Sequence, residues 1–339
     1  MPNWNEPIIH PITGQRNPAY LHGAITPMFT PCNSDRSLDE TGIRSYVDYL
    51  VATRSVTALF ARSGLGQMYE FSIEDVKRLT DIVTDHGSGR IPVMVGCSGI
   101  YQREGERPNR DEYVRQGIDL CRYAQRKGAI AAVLTLPMAL TGGRREELPE
   151  GTALEYFARI TREVDIPIVV YQPPEMARRF RASPSFITGL AEMRTVVGMK
   201  ISTSNMAVFV EAARTAQRAN FAMIAGDETV YPFTLLLGGT GVIGQGCTTH
   251  PEIHRAIYEC VMSQDLLGAS RAALDNLEAA RSARGESLVS LVFGYLALKG
   301  VRVQPYAMSG GAPESEDVLS RFQSKIDAIR APYLDSIIR

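Results

Sequence analysis

Lysine is scarce in this chain: of its 36 basic residues only Lys77, Lys127, Lys200, Lys299 and Lys325 are lysine. The five cysteines (Cys32, Cys97, Cys121, Cys247 and Cys260) are an odd number, lie far apart and form no Cys-x-x-Cys pair. That spacing argues against a disulfide framework or a cysteine zinc site and predicts reduced thiols in a cytoplasmic protein. No stretch approaches the roughly 18 uninterrupted apolar residues of a membrane-spanning helix. The opening Met1-Pro-Asn-Trp-Asn-Glu6 has neither the basic start nor the apolar run of a secretory signal. A formal net charge of −1 leaves no broad basic surface, so neither nucleic acid nor membrane is expected as a partner. There is no Gly-x-Gly-x-x-Gly turn after the first apolar run, no Gly-x-Ser-x-Gly and no Walker loop. Dinucleotide, serine-hydrolase and P-loop readings therefore gain no support.

What the chain does contain is length and rhythm. Its 339 residues, 45% hydrophobic, suffice for one large domain or two small ones. Residues 1–21 are polar and aperiodic, and read as an arm that packs on the body or on a neighbouring subunit. From His22 short apolar runs alternate with helical stretches. The runs Ala24–Phe29, Thr57–Arg62, Pro92–Gly96, Ala131–Leu136, Pro167–Tyr171, Val196–Ile201, Phe221–Gly226 and Gly241–Gly244 predict strands buried on both faces. Between them, Ser72-Ile-Glu-Asp75 marks a helix start, and Lys127-Gly128 ends a helix over Asp111–Arg126. Eight βα units in roughly 230 residues predict a (β/α)8 barrel over 22–250. Helices alone follow over 251–339, roughly Glu252–Ser263, Leu266–Ala283, Ser287–Lys299 and Glu316–Ile329. A doubly wound open sheet is the alternative fold.

Four of the lysines sit in or at the ends of amphipathic helices, where a solvated charge is the ordinary explanation. Lys200 instead follows Val196-Val-Gly-Met199 on a strand, with Ile201 after it. Burial penalises an ammonium, so the group is expected to titrate low and supply a neutral amine, able to condense with a ketone. A lysine snorkelling from a strand end or paired with a carboxylate fits the same pattern. Tyr171 ends the preceding strand, where a phenol would relay protons or simply fill core. The turn Ser63-Gly-Leu-Gly-Gln67 offers backbone N–H groups to a carboxylate. The run Gly238–Gly246, which contains Ile243, gives either tight packing or room for a ligand. His250 and His254 share a helical spacing, but no motif-linked acid supplies a third ligand. Helix capping and surface placement are expected of them.

These features in this order resemble the dihydrodipicolinate synthase / N-acetylneuraminate lyase family of class I, pyruvate-dependent aldolases. The resemblance rests on Gly23-Ala-Ile-Thr-Pro27, the glycine-rich turn, Tyr171 with its following proline, Gly198-Met-Lys200, Gly226-Asp227 and Gly238–Ile243. It reaches the tail at Val301-Arg-Val-Gln-Pro305. It implies that Lys200 forms a Schiff base with pyruvate or another 2-oxo acid, that Tyr171 relays protons and that Ser63–Gly66 receive the carboxylate. It also implies a homotetramer built as a dimer of dimers, with no cofactor and no metal.

The departures point to a divergent member. The family turn carries hydroxyls where this chain has Gly64 and Leu65, and only Ser63 is left to replace them. Met138 and Ala139 stand where a second tyrosine belongs, and Met176 where the synthase has a carboxylate-binding arginine. Leu65, Met138, Ala139, Met176 and Ile201 predict an apolar pocket for a hydrophobic or aromatic aldehyde, with Arg62, Arg178 or Arg179 as a substitute anion site. The expected activity joins pyruvate to an aldehyde or cleaves the product, and is neither the lysine-pathway synthase nor the sialic acid lyase. A 2-oxo-3-deoxy acid dehydratase, a hydratase-aldolase and an inactive 2-oxo acid-binding regulator are the alternatives.

Overall fold

The structure, a computed structural model, describes residues 3–101, 108–141, 146–176, 179–283 and 287–334, without the side chains of 218 and 219. Eight parallel strands close into a barrel: β3 (Gly23–Pro27), β4 (Val56–Ala61), β5 (Val93–Gly96), β6 (Ala131–Thr135), β7 (Ile168–Gln172), β8 (Val196–Ile201), β9 (Ala222–Ala225) and β10 (Gly241–Val242). Each strand neighbours the next in sequence, and β10 pairs with both β9 and β3. The barrel expected from the rhythm of apolar runs is present, and every expected strand overlaps an observed one.

Seven helices wrap the barrel: α1 (Glu40–Ala52), α2 (Ile73–Gly87), α3 (Arg110–Arg126), α4 (Glu150–Thr161), α5 (Pro184–Ala191), α6 (Met206–Ala219) and α7 (Tyr231–Leu236). Their ends follow local chemistry. Ser72 and Asp75 form a reciprocal capping box at the start of α2. Beyond α3, Gly128 adopts φ +85°, a left-handed conformation that glycine enters without Cβ strain.

Side chains alternate along the strands, and the two faces build two cores. Ile25, Phe60, Met94, Val133, Val169, Tyr171 and Ile224 point inward. Leu59, Val95, Leu134, Val170, Met199 and Ile201 point outward against the helices. Tyr20 and Leu21 join the interior set just before β3, plugging the foot of the barrel.

The N-terminal segment contains a two-stranded hairpin that its prolines concealed, β1 (Pro7–Ile9) on β2 (Arg16–Pro18). It packs on the body of its own chain, where Gln15 Nε2 donates to the carbonyl of Ala216 on α6.

After β10 come α8 (Gly246–Thr249), α9 (Pro251–Met262), α10 (Leu266–Arg281), α11 (Leu288–Leu298) and α12 (Glu316–Leu334). Ile253, Ile257, Leu291, Tyr295, Phe322 and Ile326 share one core with Ala24, Ala225 and Val242 of the barrel. The late helices are thus packed onto β3, β9 and β10 through a common apolar layer. Within that layer Arg330 pairs with Glu252 and donates to the Tyr295 hydroxyl at 2.7 Å. Glu252 is 1% exposed, so removing its partner strands a charge away from water. Arg330→Met should therefore destabilise the fold by about 3–5 kcal/mol in denaturant unfolding, and the double variant with Glu252→Met should recover most of the loss.

Candidate active site

Lys200 and Tyr171 are direct neighbours across the β7–β8 ladder. In-register residues on parallel strands face the same way, and here both point into the barrel. Met199 and Ile201 go to the outer layer, which leaves Lys200 the inward residue between them. Its Nζ stands 4.2 Å from the centre of the Tyr171 ring, and the residue is 6% exposed. The Tyr171 ring rests edge-on against Phe60, which holds its plane. Gly226 makes room for the lysine stem, because a Cβ there would lie 2.7 Å from Lys200 Cε and 2.3 Å from Ser202 Oγ.

Burial pushes the Lys200 amine down to about 7, against opposing pulls from Cys247 and Glu175. Among the described residues no carboxylate comes within ion-pair distance of it. The two structural explanations of a strand lysine, snorkelling to solvent and carboxylate pairing, therefore do not describe its surroundings.

The turn after β4 is held tightly. Arg62 and Gln67 take positive φ values of 53° and 61°. Gly66 cannot be replaced, since a Cβ would come within 2.4 Å of the Met28 carbonyl. Ser63 is fully buried, donates to Met28 O and accepts from Gly66 N, so its hydroxyl is spent inside the turn and does not replace the missing relay group. The N–H groups of Gly64 and Leu65 make no hydrogen bond to any of the described residues. Gly64 also lies against the phenol, where a Cβ would sit 2.9 Å from the Tyr171 hydroxyl oxygen. The space a threonine would fill in this turn is occupied by the tyrosine itself.

These groups open onto a cavity of about 720 Å³ at the carboxyl ends of the strands. Gly64, Leu65, Tyr171, Lys200 and Ile243 line it. Met138 and Met176 do not, contrary to the sequence expectation. Each sits on a one-turn 3-10 segment directly after its strand, which rolls the side chain into the barrel–helix layer. Ala139 and Ile201 belong to that layer too.

In their place the wall carries polar groups the sequence did not single out: Glu175, Ser202, Thr203, Thr229, Gln245 and, from α10, Arg281. Ser202 had a legible signal, because it lies two residues beyond Lys200 and shares its inward parity. Its hydroxyl is buried without a hydrogen-bond partner. Arg62 is no anion site in this arrangement, since its guanidinium donates to the carbonyls of Met68, Gly96 and Ser98 and clamps the turn. Arg179 donates to Glu146 O and Thr141 Oγ1, and Arg178 lies outside the described residues.

His250 and His254 are not at the surface. His250 takes the N-cap position of α9, and both rings are buried beside Glu228, which borders the cavity. Burial lifts the Glu228 carboxyl to about 7, countered by the N–H of Gly246 donating to Oε2 at 2.7 Å.

Two outcomes follow from this geometry. Imine formation needs the unprotonated amine, so its rate should rise about tenfold per pH unit below 7 and level off above it, read by borohydride trapping across pH. Gly64→Thr restores a hydroxyl but displaces the phenol, so it should slow trapping on the order of 10²-fold while leaving the circular dichroism spectrum intact.

Comparison with known proteins agrees with this architecture. The model of the dihydrodipicolinate synthetase family matches residues 20–329. A DapA-like lyase of Thermofilum pendens is 27% identical over 304 residues, 88% of this chain and 94% of its own length. A 4-hydroxy-tetrahydrodipicolinate synthase of Archaeoglobus fulgidus is 26% identical over 73% of this chain and 77% of its own. Among solved structures, YagE of Escherichia coli K12 in complex with pyruvate superposes with a TM-score of 0.78 at 21% identity, over 91% of this chain and 98% of that one. N-acetylneuraminate lyase of Mycoplasma synoviae gives 0.73 at 17% identity, over 93% and 99%. The protein is therefore a barrel lyase that belongs to the dihydrodipicolinate synthetase family, whose members form Schiff bases with pyruvate.

Proposed function

We propose that this protein is a class I aldolase or lyase that makes or cleaves a carbon–carbon bond between a 2-oxo acid, pyruvate first, and an aldehyde. The observation that carries the reading is the buried Lys200 amine, without a carboxylate at ion-pair distance among the described residues and seated on the face of Tyr171. In this reading the neutral amine attacks the ketone carbon of pyruvate. Tyr171 passes a proton to the departing oxygen, water leaves, and an iminium forms. The iminium accepts the electron pair released when the methyl carbon loses a proton, giving an enamine. That carbon then attacks the aldehyde, and hydrolysis returns the amine. Cleavage is the same sequence reversed. The N–H groups of Gly64 and Leu65 are suited to hold the carboxylate.

The wall favours a hydroxylated aldehyde over the hydrophobic one that the sequence suggested. Ser202, Thr203, Thr229 and Gln245 offer hydrogen bonds that an apolar substrate would leave unmade. One relative, from Escherichia coli and 26% identical over 69% of this chain, carries the provisional name 2-dehydro-3-deoxy-D-gluconate aldolase. A homotetramer belongs to the same reading. Leu266, Leu267 and Leu274 leave an exposed apolar strip along α10, which such an assembly would cover.

Borohydride reduction in the presence of pyruvate, followed by peptide mass spectrometry, tests the mechanism. A reduced adduct is expected on Lys200 alone. Tyr171→Phe should slow its formation by about 10²–10⁴. No adduct across a panel of 2-oxo acids would show the reading to be wrong.

A further inference from the structure

A second cluster of chemically able side chains lies at the junction between the barrel and its late helices. Glu228 comes from the turn after β9, His250 from the start of α9, and His254 from one turn further along that helix. A ligand atom of each lies within 4.8 Å of the others. Glu228 Oε2 is 3.6 Å from His254 Nε2, and the two imidazoles stack with centres 5.2 Å apart. All three residues are buried, at 6%, 1% and 0% exposure respectively.

His254 has no exposure at all, yet neither ring nitrogen completes a hydrogen bond. The His250 carbonyl lies near the ring without satisfying it. A polar group enclosed in this way calls for a partner of its own. Its surroundings are also organised as a supporting shell. His250 Nδ1 is 2.9 Å from Thr249 Oγ1, an acceptor that would fix the ring with Nε2 turned to a ligand. Asn276 donates Nδ2 to the Glu228 carbonyl at 2.9 Å, which places its Oδ1 3.3 Å from His250 Nε2, as an acceptor that a metal on that nitrogen would displace.

We propose that Glu228, His250 and His254 form a binding site for a divalent transition-metal ion, with zinc the best match and an open coordination position towards the Lys200 cavity. Two imidazoles four residues apart on one helix, with one carboxylate, form a borderline nitrogen–oxygen donor set that suits zinc. Magnesium and calcium call for more oxygen ligands than the cluster offers. With metal–ligand bonds of about 2.0–2.2 Å, tetrahedral donors stand roughly 3.3–3.6 Å apart, a spacing the Glu228–His254 pair already has. Three protein ligands leave one position free. Of the three ligands, Glu228 alone also lines the cavity, which sets the site next to the place where substrate would lie.

The test uses the full chain, stripped with a chelator, reloaded with Zn²⁺ and dialysed. Plasma mass spectrometry should find one equivalent retained per chain, and Co²⁺ loading should give the visible bands of a tetrahedral ion. His254→Gln and, separately, His250→Gln should cut retained metal at least tenfold, with folding checked by circular dichroism. Lys200→Ala should retain the metal in full, so this outcome separates from that of borohydride trapping. If His254→Gln does not fold, the Co²⁺ spectrum of the unmutated chain decides alone. Absence of the bands, no zinc above a metal-free control, or histidine variants that retain as much metal as the unmutated chain would overturn the proposal.

Discussion

Everything at the candidate site depends on one constraint: an amine held inside an apolar barrel with no ion-pair partner among the described residues. Lys200 is inward because Met199 and Ile201 on either side of it are outward, and a strand cannot send two successive side chains the same way. Once inside, the ammonium has lost its water, and the pull of Glu175 does not make up for it, so its proton is held weakly. The surrounding construction preserves that state. Gly226 leaves the stem its channel, Phe60 fixes the plane of Tyr171, and Arg62 locks the turn that carries Gly64.

The altered turn gains a physical meaning in this setting. A chain with Gly64 and Leu65 where relatives carry hydroxyls reads on paper as one that has lost its relay. In the folded protein the Tyr171 hydroxyl advances into the space left by Gly64. The missing side chain on one element is matched by the presence of another from a different strand. Nothing in the turn's own residues reports this, because it depends on a strand a hundred residues away.

The junction between barrel and late helices is the second organised region. The apolar layer shared by Ile253, Tyr295 and Phe322 with Ala24 and Val242 carries a buried ion pair and a buried histidine cluster within it. Buried polar groups are costly unless satisfied, and here Arg330, Tyr295, Asn276 and Thr249 satisfy most of them. Neither ring nitrogen of His254 is satisfied, and the ring faces Glu228, a carboxylate that also borders the cavity. The helices beyond the barrel therefore do more than cover its end, since through α10 and α11 they reach the wall of the site.

The sequence by itself determined the barrel, its eight strands, the late helices and the place of Lys200 on a buried strand. All of these follow from local periodicity: a period of two along strands, 3.6 along helices, and the glycine and capping residues that end them. The pairing of Tyr171 with Lys200 was legible because both close neighbouring strands. Only the tertiary structure decided which residues face the cavity. Met138 and Met176 turn away because short 3-10 segments after their strands rotate them, and such segments leave no periodic trace. Glu175, Gln245 and Arg281 reach the cavity from separate segments, and Ser63 spends its hydroxyl on Met28. The N-terminal hairpin went unseen because its prolines mask the strand pattern. The third partner of the two histidines went unseen for a related reason. Glu228 stands 22 residues before His250, and only closure of the barrel brings them together.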